Sequence, residues 1–182
     1  MNFIKTAIEG VYIIEPRIFT DARGYFFESY SRVAFEAAGL YYDFVQDNQS
    51  KSCYGTVRGL HFQKGEHAQA KLVRVLEGTV LDVAVDIRRS SPTYGKHVAV
   101  ELSAENNRQL MIPRGFAHGF SVLSETAVFA YKCDNLYCKE SEGGIRFDDP
   151  TLAIDWRIDM SRALTSDKDK LHPYFAEFET CF

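Results

Sequence analysis

Two short segments of the chain each place a histidine among apolar, strand-forming residues. They read RGLHFQ at 58–63 and PRGFAHGF at 113–120. A neutral imidazole has an ordinary pKa near ~6.5 and can accept a proton at neutral pH. His61 is therefore a candidate general base, although a single histidine in such a setting is more often a hydrogen-bonded core group. Arg58, Lys71 and Tyr131 favour the catalytic interpretation, because they add cations that bind anions and a phenol that can donate a proton.

The same segments lack the ligands that a metal ion would need. Small metal-binding β-barrels supply a His-x-His pair, a glutamate and a later histidine, since a divalent cation requires three or four convergent nitrogen and oxygen ligands. Here Gln63 takes the place of the second histidine, and the nearby Lys71 would repel a cation. The sequence therefore predicts a site without a metal.

Bulk composition limits the class of protein. The chain has 182 residues, is 46% hydrophobic and carries a net charge of -4. This predicts one compact domain over residues 1–182 and no overall positive field for nucleic acid or an anionic membrane. No apolar stretch approaches a signal peptide at the start or the roughly 20 residues of a membrane span. We therefore expect a cytoplasmic protein with no nucleic-acid or membrane partner.

The number and spacing of the cysteines agree with the expected cytoplasmic location. Cys53, Cys133, Cys138 and Cys181 have neither paired Cys-x-x-Cys spacing nor the density of a secreted disulfide scaffold. We expect four reduced, structural thiols. A bridge between Cys133 and Cys138 stays open, because pairing depends on distances that a sequence does not contain.

Alternating apolar and polar residues predict a series of short strands. Residues 71–87 form a predicted hairpin that turns at Glu77-Gly78, and the alternation of apolar residues with Asp82, Ala84 and Asp86 predicts one wet face. Further strands are predicted at 98–102, 109–112, 120–123 and 127–133. Only two segments favour helix: one capped by Ser31 and closed by Gly39, and one turn within 161–171. Such spacing is typical of an antiparallel sandwich or barrel.

Two polar side chains are predicted to point toward the apolar side of this sheet. Lys71 shares a face with Val73, and Tyr131 shares a face with Phe129, because side chains alternate along a strand. If those faces line a barrel, an ammonium group and a phenol both point into it.

Eight segments in a fixed order carry a resemblance to a known family. They are DARGYFFE at 21–28, FVQDNQS at 44–50, RGLH at 58–61, KLVR at 71–74, PRGFAHGF at 113–120, YK at 131–132, GIRFDDP at 144–150 and SDKD at 166–169. Each is weak alone. Together, over nearly the whole length, they make the chain similar to the dTDP-4-dehydrorhamnose 3,5-epimerases.

The resemblance implies both a fold and a reaction. The implied fold is an all-β, cupin-like jelly roll: an antiparallel β-barrel with few short helices, assembled as a homodimer. The implied reaction needs no cofactor and inverts carbons 3 and 5 of dTDP-4-dehydro-6-deoxy-D-glucose, giving dTDP-4-dehydro-L-rhamnose in dTDP-L-rhamnose biosynthesis. The 4-keto group makes this feasible, because it acidifies the hydrogens on both flanking carbons and takes up the charge as an enolate.

By resemblance, four residues carry the chemistry. His61 is the base, and Asp169 orients its ring and stabilises the imidazolium that forms. Lys71 stabilises the enolate oxygen, since a fixed charge in a dry barrel counts for more than in water. Tyr131 donates the proton from the opposite face.

Eight further residues are assigned to substrate binding by resemblance. Arg23 and Arg58 suit the diphosphate, because guanidinium forks match phosphate oxygens. The remaining six are Gln46 and Asn48 as hydrogen-bonding groups, Phe19 and Tyr137 flanking thymine, Glu28 at the thymine edge, and His118 near the base. Phe19, Arg23 and Glu28 are expected from the partner subunit, so that the homodimer completes the site.

Three other interpretations stay open. A relative with the same His61, Tyr131 and Asp169 could invert one carbon only or move the keto group. A metal-dependent cupin enzyme and a non-catalytic sugar-nucleotide binding module are the others. The chain departs from the family pattern at Ala70, at Cys138-Lys139, at Phe147 and at Arg157. None of these departures removes a proposed catalytic group, but they leave the nucleotide preference open.

Overall fold

Thirteen short strands make up most of the regular structure in a computed structural model that describes residues 1–182. They are β1 (Asn2–Lys5), β2 (Tyr12–Glu15), β3 (Phe19–Asp21), β4 (Gly24–Phe26), β5 (Gln46–Cys53), β6 (Val57–Gln63), β7 (Lys71–Glu77), β8 (Thr79–Asp86), β9 (His97–Ser103), β10 (Gln109–Ile112), β11 (Phe116–Val122), β12 (Thr126–Cys133) and β13 (Glu142–Gly144). One helix, α1 (Arg32–Ala37), and five 3₁₀ turns complete the regular elements: Gly65–His67, Lys139–Ser141, Met160–Arg162, Asp169–Leu171 and Phe175–Glu177. No helix has the length and apolar character needed to cross a membrane.

The strands form two main antiparallel sheets. One has the order β1-β2-β10-β7-β12-β5, the other has the order β13-β6-β11-β8-β9, and β3 pairs only with β4. The two sheets enclose an inner core that includes Val73, Ala84 and Phe129. This confirms the predicted antiparallel jelly roll with few short helices. The sheets share no strand, so the barrel is not closed by hydrogen bonds.

The predicted wet face of β8 is wrong. Asp82 and Asp86 are both fully buried, and Ala84 belongs to the inner core. Each carboxylate has partners instead of water: Asp82 binds His118, and Asp86 accepts hydrogen bonds from Arg88 and from hydroxyl groups of the following loop. Burial alone would raise the pKa of Asp86, but these bonds lower it to about 2.

The opposite face of β8 is covered by the C-terminal segment. Leu81, Val83 and Val85 lie in an outer core with Phe147 and Trp156, and the aromatic residues near the C-terminus pack against this cluster. Both faces of β8 are therefore buried. Phe147, one of the departures from the family pattern, lies in this outer core.

The predicted helix is present beneath the six-stranded sheet. The Ser31 hydroxyl accepts a bond from the Ala34 N–H, and Gly39 follows the helix with a φ of +78°. Phe35 is fully buried against Leu72 and Met111. The predicted turn in 161–171 is also present, as the 3₁₀ segments Met160–Arg162 and Asp169–Leu171. All four cysteines are free thiols.

Candidate active site

The two histidine segments become neighbouring strands. His61 on β6 pairs directly with His118 on β11. A Cβ atom on Gly59 would lie 2.5 Å from the Gly119 Cα and 2.9 Å from the His118 carbonyl oxygen, and Gly59 has a φ of +137°. Only glycine fits this close approach of the two backbones. The glycine of the RGLH motif therefore sets the two histidines side by side.

The facing sheet supplies the other polar groups. Tyr131 lies between Asn48 and Val73 in register, and Cys133 lies between Gln46 and Lys71. Tyr131 packs against the inner core beside Phe129, which confirms the predicted orientation. A cavity of about 280 Å³ between the sheets is lined by Asn48, Arg58, His61, Lys71, His118 and Tyr131. Six residues assigned by resemblance thus meet in one space.

Asp169 holds the ring of His61. The His61 Nε2 lies 2.8 Å from Asp169 Oδ1, and the Gly59 N–H donates to Asp169 Oδ2 at 3.3 Å. Burial raises the pKa of Asp169, but the hydrogen bond and charge of His61, with bonds from Gly59 and Ser166, lower it below its ordinary value. An ionised carboxylate only accepts, so Nε2 carries the proton and Nδ1 is the basic nitrogen.

Lys71 and Tyr131 lie together opposite the two histidines. The Lys71 Nζ is 5.9 Å from the centre of the Tyr131 ring. Burial lowers the pKa of Lys71, and the negative charges of Asp82 and Glu142 oppose that change. Burial raises the pKa of Tyr131, so its phenol keeps its proton at neutral pH. The site therefore presents an amine and a proton donor to the same cavity.

His118 forms a second histidine–carboxylate pair. Its Nε2 lies 2.9 Å from Asp82 Oδ2, and both side chains are buried. Burial lowers the pKa of His118, and the nearby Lys71 and His61 lower it further, although Asp82 opposes them. Asp82 is a site residue that sequence reasoning missed. The sequence signal was an aspartate within an otherwise apolar strand, but the alternation of residues predicted that its side chain faces solvent.

The mouth of the cavity contains further predicted residues. Arg58 Nε donates to the Ser52 hydroxyl at 3.1 Å, and Gln46 Nε2 donates to Asn48 Oδ1 at 3.0 Å. The backbone N–H of Tyr137 donates to the Gln46 side chain. A second cavity of about 250 Å³ brings Gln46, Asn48 and Tyr137 together with His61, Lys71 and Tyr131.

Two charged residues at this mouth were missed. Glu142 accepts a hydrogen bond from the Tyr137 hydroxyl at 2.9 Å and forms an ion pair with Lys168. Both line a cavity that also contains Arg58, His61 and Asp169. Lys168 lies inside the SDKD motif, which was a usable signal. Glu142 begins the three-residue strand β13, which is too short to show an alternating pattern, and offered none.

Three predicted binding residues lie elsewhere in the single chain. Phe19, Arg23 and Glu28 are exposed on or beside the β3–β4 hairpin, and Phe19 is 51% exposed. The Arg23 guanidinium pairs only with Asp21 of the same hairpin. None of the three lines the cavities around His61. Their contribution to a partner's site stays a prediction.

One group of side chains has the composition of a metal site. Potential ligand atoms of His61, Asp169 and His172 lie within 4.8 Å of one another. A cation bound there would replace the His61–Asp169 hydrogen bond and would face Lys168 and Arg58 in the same cavity. Gln63, which takes the place of a histidine ligand, accepts a bond from the Cys138 N–H instead. The metal-free site stays a prediction that a chelator experiment tests.

A jelly roll that encloses a carboxylate-held histidine opposite a lysine and a phenol defines a cupin-like enzyme equipped for proton transfer. The family model for dTDP-4-dehydrorhamnose 3,5-epimerase matches residues 5–177. The chain belongs to this family of isomerases. The dTDP-4-dehydrorhamnose 3,5-epimerase of Shigella flexneri is 56% identical over 170 residues, which are 93% of each chain.

Solved structures agree with this assignment. A crystal structure of dTDP-4-dehydrorhamnose 3,5-epimerase from Elizabethkingia anophelis has a TM-score of 0.93 and 58% identity, and the match covers 97% of both chains. The dTDP-6-deoxy-D-glucose-3,5-epimerase of Legionella pneumophila, in complex with dTDP-4-keto-L-rhamnose, has a TM-score of 0.93 and 50% identity. That match covers 98% of this chain and 94% of the other.

Proposed function

We propose that this chain inverts carbons 3 and 5 of dTDP-4-dehydro-6-deoxy-D-glucose and so forms dTDP-4-dehydro-L-rhamnose for dTDP-L-rhamnose biosynthesis. One observation carries the proposal. His61 lies on one sheet with its ring bound by Asp169 of the 3₁₀ turn Asp169–Leu171, and Tyr131 lies on the facing sheet, with the cavity between them. Inversion needs a base and an acid on opposite sides of a carbon, and this arrangement supplies both.

The proton path follows from the hydrogen bonds. His61 Nδ1 removes the proton beside the 4-keto group, and Asp169 stabilises the imidazolium that results. The Lys71 ammonium stabilises the enolate oxygen, and Tyr131 returns a proton to the other face of the carbon. The base contributes about 10²- to 10⁴-fold, so electrostatic stabilisation by Lys71 supplies a separate part of the rate.

The nucleotide binds across the mouth of the cavity in this proposal. Arg58 lies there to contact the diphosphate, and Tyr137 lies there to contact thymine. Glu142 and Lys168 border the same opening. We also propose a cytoplasmic location, which the four free cysteines support.

Isotope exchange tests the proposed reaction. Turnover in deuterated water should place deuterium from the solvent on both carbon 3 and carbon 5, as resolved by NMR of the product. Label on one carbon only would identify a single-centre epimerase, and no label at all would identify a binding module. Full activity after chelation, with substoichiometric metal, would exclude the metal-dependent alternative, whereas activity restored only by added iron or manganese would establish it.

We further propose that the active unit is a homodimer in which each hairpin reaches the partner's cavity. The support is that β3 and β4 contact neither sheet by hydrogen bonds and carry exposed Phe19, Tyr25 and Phe26. A monomer rarely leaves such a cluster of aromatic side chains in water. Arg23 would then supply a positive charge to a diphosphate bound by the neighbouring chain.

Subunit mixing tests the shared site. Arg23→Ala and His61→Asn are each expected to be nearly inactive as homodimers. Random reassortment of the two variants should restore roughly a quarter of wild-type activity, because half of the dimers are mixed and each has one intact site. Activity is measured before and after co-refolding. A mixture that stays inactive, although size-exclusion chromatography with differently tagged chains shows mixed dimers, would contradict the exchange of hairpins.

A further inference from the structure

His172 lies directly beside the proposed base, yet the proton path above does not use it. It follows the 3₁₀ turn Asp169–Leu171, which contains the carboxylate partner of His61. The rings of His61 and His172 have centroids 5.8 Å apart and an interplanar angle of 72°. This is an edge-to-face contact, the geometry that aromatic rings prefer. The 3₁₀ turn and the residue that follows it therefore contact His61 twice: Asp169 binds its Nε2 atom, and His172 packs against its ring.

Gly144 makes the space for this contact. Gly144 on β13 pairs with His61 on β6, and side chains of paired residues point to the same face of a sheet. A Cβ atom on Gly144 would lie 2.3 to 2.6 Å from three atoms of the His172 ring. The His172 ring thus occupies the position that a side chain at residue 144 would take. Because Gly144 has no side chain, the His172 ring can lie against His61.

The surroundings keep the His172 ring uncharged. Its Nε2 atom is buried and has no hydrogen-bond partner. The charged or titratable groups that face it are His61 on β6, Glu142 on β13, and Lys168 and Asp169 on its own segment. Burial lowers the pKa of His172, and His61 and Lys168 lower it further, although Asp169 and Glu142 oppose them. At neutral pH a neutral ring therefore packs against the base.

We propose that His172 is a positioning residue for His61: its ring fixes the plane of the His61 imidazole so that Nδ1 points at the carbon that loses its proton. Asp169 alone holds one atom of the ring and leaves rotation about that bond unrestrained. The edge contact from His172 restricts this rotation. The inference rests on the proposed role of His61 as base. Correct orientation matters, because a small misplacement of a catalytic group can cost a large factor in rate.

Three substitutions test the contact between the two rings. His172→Ala removes the ring, and we expect kcat to fall about ten-fold while KM changes less than about two-fold. His172→Phe keeps an aromatic ring of similar shape, and we expect kcat within about three-fold of wild type. Gly144→Ala displaces the His172 ring without altering it and should lower kcat as His172→Ala does. Wild-type kcat in His172→Ala would overturn the proposal.

The pH profile gives a readout that a merely structural role would not change. Protonation of His172 would place a second positive charge beside His61, so both rings must be neutral for full activity. The acid limb of log kcat/KM against pH should steepen from a slope of one toward two in the wild type and stay at one in His172→Phe. Equal slopes in the two proteins would count against the proposal.

An NMR measurement keeps this test independent of turnover. The His61 Nε2–H proton, held by Asp169, should give a resolved downfield signal in the wild type and in His172→Phe, and this signal should broaden in His172→Ala. An unchanged signal in His172→Ala would overturn the positioning role, even if the enzyme acts as proposed. A wild-type protein with the signal but no solvent exchange into substrate would instead overturn the proposed function alone.

Discussion

The variant His61→Asn is expected to lose about 10³-fold or more of its epimerase activity while binding dTDP within a few-fold of wild type. Asparagine has no basic nitrogen to take a proton from carbon, and its short amide does not replace the Nε2–H donor, but Asp169 still accepts the Gly59 N–H. The Asp169 carboxylate therefore keeps a partner, and the fold should be unaffected. Loss of catalysis without loss of binding would show that His61 acts on the proton itself.

Three measurements check this prediction. Solvent exchange into substrate reports proton removal, calorimetry reports dTDP affinity, and thermal unfolding reports stability. His97→Asn is the matched control, because His97 is half-buried on β9 and lines none of the cavities around His61. The control should keep wild-type exchange. If His61→Asn exchanges within ten-fold of wild type, another group is the base.

Tyr131→Phe should separate the two halves of the reaction. Only the phenolic oxygen is lost, so His61 and Lys71 can still form the enolate. We expect epimerised product to fall about 100-fold, while exchange of solvent hydrogen at the same carbon stays within about ten-fold of wild type. The reason is the raised pKa of Tyr131, which burial causes and which makes the phenol a proton donor at neutral pH.

Product formation and exchange can be followed in one NMR time course. Tyr94→Phe is the control, since Tyr94 packs against Phe175 and lines none of the cavities around His61. It should leave both rates unchanged. Should Tyr131→Phe reduce exchange and inversion by the same factor, Tyr131 would act on enolate formation and the returning proton would come from another donor.

Much of the sheet pattern could be predicted because strand alternation is local. Residues 109–112 form β10 with the predicted bounds, and the hairpin that turns at Glu77-Gly78 is present as β7 and β8. The face shared by Lys71 and Val73 was also predictable, since side-chain direction depends only on the position along a strand. Local alternation could not reveal that Asp82 has a buried partner, because His118 lies 36 residues away in sequence.

The site was predictable where a motif spans it and not where the chain is irregular. Asp169 was assigned by resemblance alone, as its contact with His61 joins residues 108 positions apart. Glu142 and His172 lie in segments without regular periodicity, so neither spacing nor alternation pointed to them. Their positions depend on how the C-terminal segment packs on the finished sheet, which is a tertiary property.

The order in which the chain leaves the ribosome has a consequence for when the enzyme can work. His61 is synthesised early, but its carboxylate partner belongs to the same C-terminal segment that covers the outer core around Trp156. A nascent chain can therefore complete the sheets without yet having a reactive imidazole. Activity should emerge only after the segment that contains Asp169 has been synthesised and has docked, so that a polypeptide terminated before this segment is catalytically silent and leaves its outer sheet uncovered for recognition by chaperones or proteases.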